Sequence, residues 1–254
     1  MLFMKKRVFS LDFCRVLAVL SIISNHALNT IFDAGAYAYW NQSPLSEKVF
    51  TVVGYIFSRV GVPLFLMITG ALILSKKFET GEDITKFYKH NLIPLIVTVE
   101  IWNIIYYFFS MFLHQTNFDL NSLIYILLFM KNSTFPHMWY MPMIIGIYLF
   151  LPLVSMAMQK LSLKSIKIPL IVVILASFIL PNLQCFLQFF GYDALYIHSI
   201  LDLSFGGGVY GVYIILGYYI FREKLYQKIA LKWLILGCIV CFAGSCIFQI
   251  IGYI

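Results

Sequence analysis

The stretch LDFCRVLAVLSIISNHALNT, Leu11 to Thr30, is apolar enough to cross a bilayer, yet it holds an arginine and a histidine. Eleven steps separate Arg15 from His26. At ~100° per residue that is ~1100°, about 20° past three full turns, so both side chains share one helical face ~16 Å apart along the axis. A guanidinium can hold a phosphate or carboxylate through its fork of donors. An imidazole can take or give a proton near neutrality. Placed on one face, the two predict a polar path through much of a membrane. An arginine within a span costs roughly 2.5–3.5 kcal/mol on insertion scales, so a function that offsets the cost is the first expectation. Asp12 stands one turn before Arg15 and can pair with it. Asn25 and Asn29 are near His26. A snorkelling Arg15 and an interfacial His26 would each be unremarkable alone, but their shared face argues for a site.

Further chemistry-bearing residues lie in later apolar runs. Arg59, in FSRVGVPLFLMITGALIL, is expected to be a buried cation, and Gly61 and Pro63 should loosen the helix just after it. It faces either a cavity or a partner, and Glu100, in VTVEIWNIIYY, is the one carboxylate deep in a span that could pair with it. His137, Trp139 and Tyr140 open the run FPHMWYMPMIIGIYLFLPLV on the same side as His26, where an aromatic belt would equally place the Trp and Tyr. The cysteines sit almost wholly in apolar runs, and the Cys238–Cys241 CxxC reads as helix packing. No zinc-ligand spacing and no G-x-S-x-G elbow occurs, which disfavours a serine acyl-enzyme. The glycines at 206–208 lack the GK[ST] of a phosphate loop and read as a helix break.

These residues need membrane helices to position them. The chain is 61% hydrophobic and 11% charged, where a soluble domain has about 25% charged residues. Seven apolar segments run at about 12–32, 49–74, 92–113, 138–158, 166–184, 206–221 and 231–253. The expected fold is all-α, a polytopic transmembrane bundle, with residues 1–254 forming one integral-membrane domain. Fourteen of the eighteen basic residues fall on one side of it, at 5–7, 76–89, 160–167 and 222–232. The positive-inside rule then puts the N-terminus in the cytoplasm. It also explains the net charge of +7 as a topology signal, which removes nucleic acid as a partner. The first segment reads as an anchor, not a cleaved signal, because no small-x-small site ends it. LNSLIYILLFM, within 114–137, is too short to span and reads as interfacial or re-entrant. No internal repeat of the kind found in many transporters is visible.

R-x10-H in the first segment, SRVGVPLFLMITG in the second and HMWYMPMIIGIYLFLPL in a later one, in that order, resemble the acyltransferase 3 family. The resemblance runs from residue 8 to about 160 and weakens beyond. It implies a multi-pass O-acyltransferase of the cell membrane that moves an acyl group, acetyl first among candidates, from acyl-CoA to a hydroxyl of a surface glycan or lipid-linked saccharide. Its partners would be the bilayer, the acyl-CoA donor and that acceptor, with no permanently bound cofactor and no metal. It maps the essential pair onto Arg15 and His26, as the catalytic residues, and the second-segment arginine onto Arg59. Family members usually have about ten spans, so a C-terminally truncated or short variant is expected. The paired arginines that many members carry before the third span are replaced here by Lys86 and Lys89, which keep charge and lose the bidentate fork. His26 would serve as general base, and Arg59 or pocket amides would stabilise the oxyanion. Arg59, Glu100, Lys86, Lys89, His137, Trp139 and Tyr140 are the candidate substrate-binding residues. A transporter or flippase with a charged intramembrane cavity is the alternative that the same residues allow.

Overall fold

The computed structural model describes residues 8–31, 43–191 and 208–251, and these are helical, with no strand among them. Lys5, Lys6, Arg7, most of the 185–205 loop and Gly206–Gly207 lie outside the described residues. Five helices are long and apolar enough to cross a membrane: Phe9–Asn29, Leu45–Ile73, Gly81–His114, His137–Lys160 and Leu231–Ile250. The protein is therefore a multi-pass membrane protein of the all-α class. The segment expected at 166–184 lies in a helical stretch, 163–189, interrupted by a π turn at Leu175–Ile179. The one expected at 206–221 is seen as a helix of 15 residues, Gly208–Arg222. That is ~22 Å long, short of the ~30 Å hydrocarbon core.

The chain divides into two units, residues 1–75 with 161–254, and residues 76–160. In the first unit α1 is Phe9–Ile31, α2 Leu45–Ser58 and α3 Gly61–Ile73. The break between α2 and α3 falls at Arg59–Val60, directly before the glycine and proline that predicted it. Pro63 brings no N–H, which a first helical turn does not need, so α3 starts afresh there. The turn tightens locally, with Arg59 N–H bonded to the Ile56 carbonyl at 3.3 Å and Val60 N–H to Phe57 at 3.2 Å. Gly61 lets α1 come close, since a Cβ there would lie 2.6 Å from Ile22 Cγ1 and 2.8 Å from the Ala18 carbonyl.

The apolar core of this unit is where α3 meets the helix Gly208–Arg222. Leu66, Ile68 and Ala71 are buried on one side, and Val212, Ile214 and Tyr218 on the other. Gly70 faces the Ile214 backbone and Gly217 the Met67 backbone, with no room at either for a Cβ. Small residues permit this approach, and close van der Waals packing is what drives helix association in lipid.

In the second unit α4 is Gly81–Phe87, a π turn occupies Tyr88–Leu92, and α5 is Ile93–His114. The short α6, Leu120–Leu127, is the LNSLIYILLFM segment, and it is indeed too short to span. A 3-10 turn, Pro136–Trp139, leads into α7, Tyr140–Lys160. Thr80 and Asp83 form a capping box that starts α4. Phe87, 4% exposed, is the hub of this unit. Its ring stacks on Tyr148 at 5.9 Å and meets Phe78 edge-on at 5.5 Å. Tyr88 donates to the Leu149 carbonyl at 2.7 Å, and Ser155 to the Lys76 carbonyl at 2.8 Å. Pro94 explains the π turn, because in an α ladder its ring would meet the His90 carbonyl. The loosened turn is held by side chains: Asn91 donates to the Phe87 carbonyl at 2.9 Å and His90 Nδ1–H to the Lys86 carbonyl at 2.8 Å.

Candidate active site

α1 is one uninterrupted helix, so Arg15 and His26 keep the shared face that their spacing predicts. The packed face of α1 carries Ala18, Ser21 and Leu28, and Arg15 and His26 lie to its side. Arg15 Nη1 donates to Asp12 Oδ1 at 2.5 Å, with the side chains 43% and 27% exposed. At that exposure the pair adds at most about 1 kcal/mol to stability. Its effect is to aim the guanidinium, whose remaining donors stay available for an anion.

The α2–α3 break passes α1 midway between the two. Ser21 Oγ donates to the Phe57 carbonyl at 2.8 Å and to the Ser58 carbonyl at 3.1 Å. Ser58 Oγ donates to the Tyr55 carbonyl at 2.6 Å and contacts Asn25 Oδ1 at 3.2 Å. A helix break in lipid frees carbonyls that water cannot reach, and neighbouring hydroxyls re-satisfy them. Ser21 is six residues beyond Arg15 and five before His26, so the break stands ~9 Å along the axis from one and ~8 Å from the other. Arg59, next to Ser58, thus stands at a height between Arg15 and His26 along α1, beside its packed face. Its burial, however, differs from expectation: the side chain is exposed, with its guanidinium 4.3 Å over the Tyr55 ring. A cation–π contact one turn back shields it without enclosing it. Ser21 and Ser58 escaped the sequence reading, which followed charges. The available signal was a serine directly before the arginine and another on the apolar face of the first helix.

The second unit holds the other candidates, in two groups. Lys86 on α4 and Lys89 in the π turn are both exposed. His137, Trp139 and Tyr140 lie at the start of α7, where Tyr106 of α5 meets the His137 ring at 5.3 Å and Trp139 meets Tyr140 edge-on at 6.1 Å. Seventeen helical residues from Lys89 to Tyr106 put roughly 25 Å between the groups. Glu100 lies between them, both carboxylate oxygens buried and without a hydrogen bond among the described residues. Asn103, 3% exposed and one turn on, also has a side-chain oxygen with no partner there. Buried groups of this kind are costly and call for a partner or a function. Asn103 was not anticipated from the sequence.

A family model described as an acyltransferase domain matches residues 8–254. An amino-acid racemase of Enterococcus faecalis is 27% identical over 146 residues, which is 55% of this chain and 18% of that protein. The chain thus spans less than a fifth of that relative's length. No solved structure matches the chain.

Proposed function

This chain belongs to the acyltransferase 3 family, and from that premise we propose that it transfers an acyl group, acetyl in the simplest case, from acyl-CoA to a hydroxyl of a surface glycan or lipid-linked saccharide. The observation that carries the reading is the order along α1: an arginine, a helix break with a second arginine, then a histidine, at ~8–9 Å steps. A pantetheine arm is long and thin, and the Arg15–His26 side of α1 would offer it charge at one end and a base at the other.

In the proposed reaction His26 takes the proton of the acceptor hydroxyl. The oxygen attacks the thioester carbonyl, and negative charge gathers on the carbonyl oxygen, where Arg59 would stabilise it. The C–S bond then breaks, the CoA sulfur leaves and takes a proton from the imidazolium, and the acyl ester remains on the acceptor. Arg15, held by Asp12, would meet a phosphate or carboxylate group of the donor at the cytoplasmic mouth. Lys86 and Lys89 would draw the phosphates electrostatically. Glu100, His137, Trp139 and Tyr140 are assigned to substrate binding. The reading includes seven spans, residence in the plasma membrane, and a cytoplasmic N-terminus, the last of which the basic loops favour.

The test uses the full chain in lipid discs with acyl-labelled acetyl-CoA and a cell-envelope fraction. Thiol release matched by ester-linked label in the envelope material is expected, and both should vanish in His26→Ala. A wild-type protein that moves labelled solute across vesicles but releases no thiol would overturn acyl transfer in favour of transport. Mass spectrometry of the labelled envelope material identifies acyl group and acceptor.

A further inference from the structure

A half-open cavity of about 280 Å³ with mixed polar and apolar walls lies in the second unit where α5 ends. Its walls come from four places: Tyr107 and Ser110 on α5, Thr116 in the link that follows, Ser122 on α6, and residues 131–134 after α6. It stands at the opposite end of α5 from Lys86 and Lys89. None of its residues belongs to the acyl-transfer machinery assigned above.

The cavity is built, not incidental. Tyr107 Oη donates to the Asp119 carbonyl at 2.8 Å and accepts from the Asp119 N–H at 2.9 Å, which fixes the start of α6 to α5. At the other end of α6, the Met130 and Lys131 N–H groups both reach the Tyr125 carbonyl, at 2.8 and 3.1 Å. Phe129, at φ 55°, makes the left-handed turn that allows this. The start of the 131–134 wall is therefore fixed at Lys131 by the end of α6.

Its polar groups are underused. Ser133 Oγ is buried and makes no hydrogen bond among the described residues. A buried hydroxyl without a partner is costly and finds one in a ligand or an ordered water. Lys131 Nζ donates to Ser122 Oγ at 2.5 Å but has no carboxylate within ion-pair distance among the described residues. An ammonium, hydroxyls and the Asn132 amide around one cavity form a donor-rich set that suits ligand hydroxyls plus one negative charge. The volume is at the small end for ligand sites, the size of one sugar residue and not of a nucleotide.

We propose that this cavity binds an anionic saccharide or alditol unit, with Lys131 meeting its phosphate or carboxylate and Ser110, Asn132 and Ser133 its hydroxyls. As the acceptor's docking point this deepens, and rests on, the acyl-transfer reading. As a binding site it stands alone.

The test is binding to the full chain in phosphatidylcholine discs, using glucose 6-phosphate, glucuronate, glycerol 3-phosphate, glucose and inorganic phosphate as probes. At least one anionic sugar or alditol should bind tenfold or more tighter than both glucose and inorganic phosphate. Lys131→Gln should weaken it about tenfold and Ser133→Ala several-fold. Ser133→Ala should also leave the ligand-free protein as heat-stable as wild type or more so, since an unpartnered buried hydroxyl is gone. Three results would each overturn the assignment: no probe binding, inorganic phosphate binding as well as the sugars, or binding indifferent to both substitutions. Discs containing phosphatidylglycerol separate the two sources of an alditol phosphate: undiminished probe binding supports the saccharide, and full displacement assigns the cavity to a lipid headgroup and overturns it. Thioester cleavage is measured in parallel. Its absence in wild type with probe binding intact removes the acyl-transfer reading and leaves the cavity's ligand standing.

Discussion

Ser21 of α1 donates at 2.8 Å to the carbonyl of Phe57, where α2 stops. One hydroxyl thus fastens the helix that carries Arg15 and His26 to the break that carries Arg59. With Ser58 against Asn25 at 3.2 Å, two short side chains set the height at which the break before Arg59 lies along α1. Interhelical hydrogen bonds in lipid average ~0.6 kcal/mol and reach ~1.7. Ser21→Ala should therefore lower stability by about 1 kcal/mol, read as a small fall in thermal midpoint in detergent, yet cost more than tenfold in acyl transfer through misplacement of Arg59. A large stability loss with unchanged specific activity would make the serine only a strut.

His26→Ala should abolish thioester-dependent acyl transfer while protein abundance stays near wild type. His26→Gln, close in size but no base, should be equally inactive. Transfer retained at more than a few per cent in either would take the general-base role from His26.

Arg15→Lys should weaken apparent donor affinity about tenfold or more, because the charge survives but the paired donors do not. Asp12→Asn should do the same more mildly, by several-fold, since it frees the guanidinium without removing it. Titration of donor concentration in both variants checks this, and an unchanged donor KM in Arg15→Lys sinks the assignment.

Arg59→Met should lose activity at normal abundance if its guanidinium, resting over Tyr55, serves the reacting carbonyl. Glu100→Leu tests the rival idea that the two charges form a pair. Removing one partner of a buried pair costs ~3–5 kcal/mol, so each single change would then deplete the protein and the double change would restore it. Yields of the two singles and the double, measured in one membrane preparation, decide between the outcomes.

Gly70→Val and Gly217→Val should each sharply reduce the yield of folded protein, because each places side-chain atoms in the facing backbone. Gly146→Val, at a position with open space around it, is the control and should be neutral. Thermal unfolding of the purified variants measures the difference.

Several of these features could be read from the chain before any coordinates. Hydropathy and period suffice for helices at the expected places, for the interruption after Arg59 and for the stunted 120–127 helix, since each depends on local composition. The shared face of Arg15 and His26 is a matter of helical geometry alone. What stayed hidden depends on which helix lies beside which. Nothing in SRVGVP says that Ser21, 37 positions before Ser58, supplies its hydrogen bond. The burial expected of Arg59 failed because an aromatic ring one turn back can cover a cation on an otherwise open flank. The π turn was missed because periodicity arguments assume a constant 3.6 residues per turn, and Pro94 violates that locally.

The helix from Gly81 to His114 is continuous through its π turn and has 34 residues. At ~1.5 Å per residue it is ~50 Å long, against a hydrocarbon layer of ~30 Å. It cannot be immersed from end to end. If His114 lies near one water boundary, the rise per residue carries Lys86 and Lys89 past the opposite one. The π turn acts on this rod as a phase shifter, since one extra residue in a turn rotates everything beyond it by ~100° relative to an α-helical register. Deleting a single residue between Tyr88 and Leu92 would swing the lysines a quarter-turn around the rod without altering the composition of the submerged part. The distance of the basic cluster from His114 and its bearing around the helix are thus set by two separate features, the length of the rod and one anomalous turn.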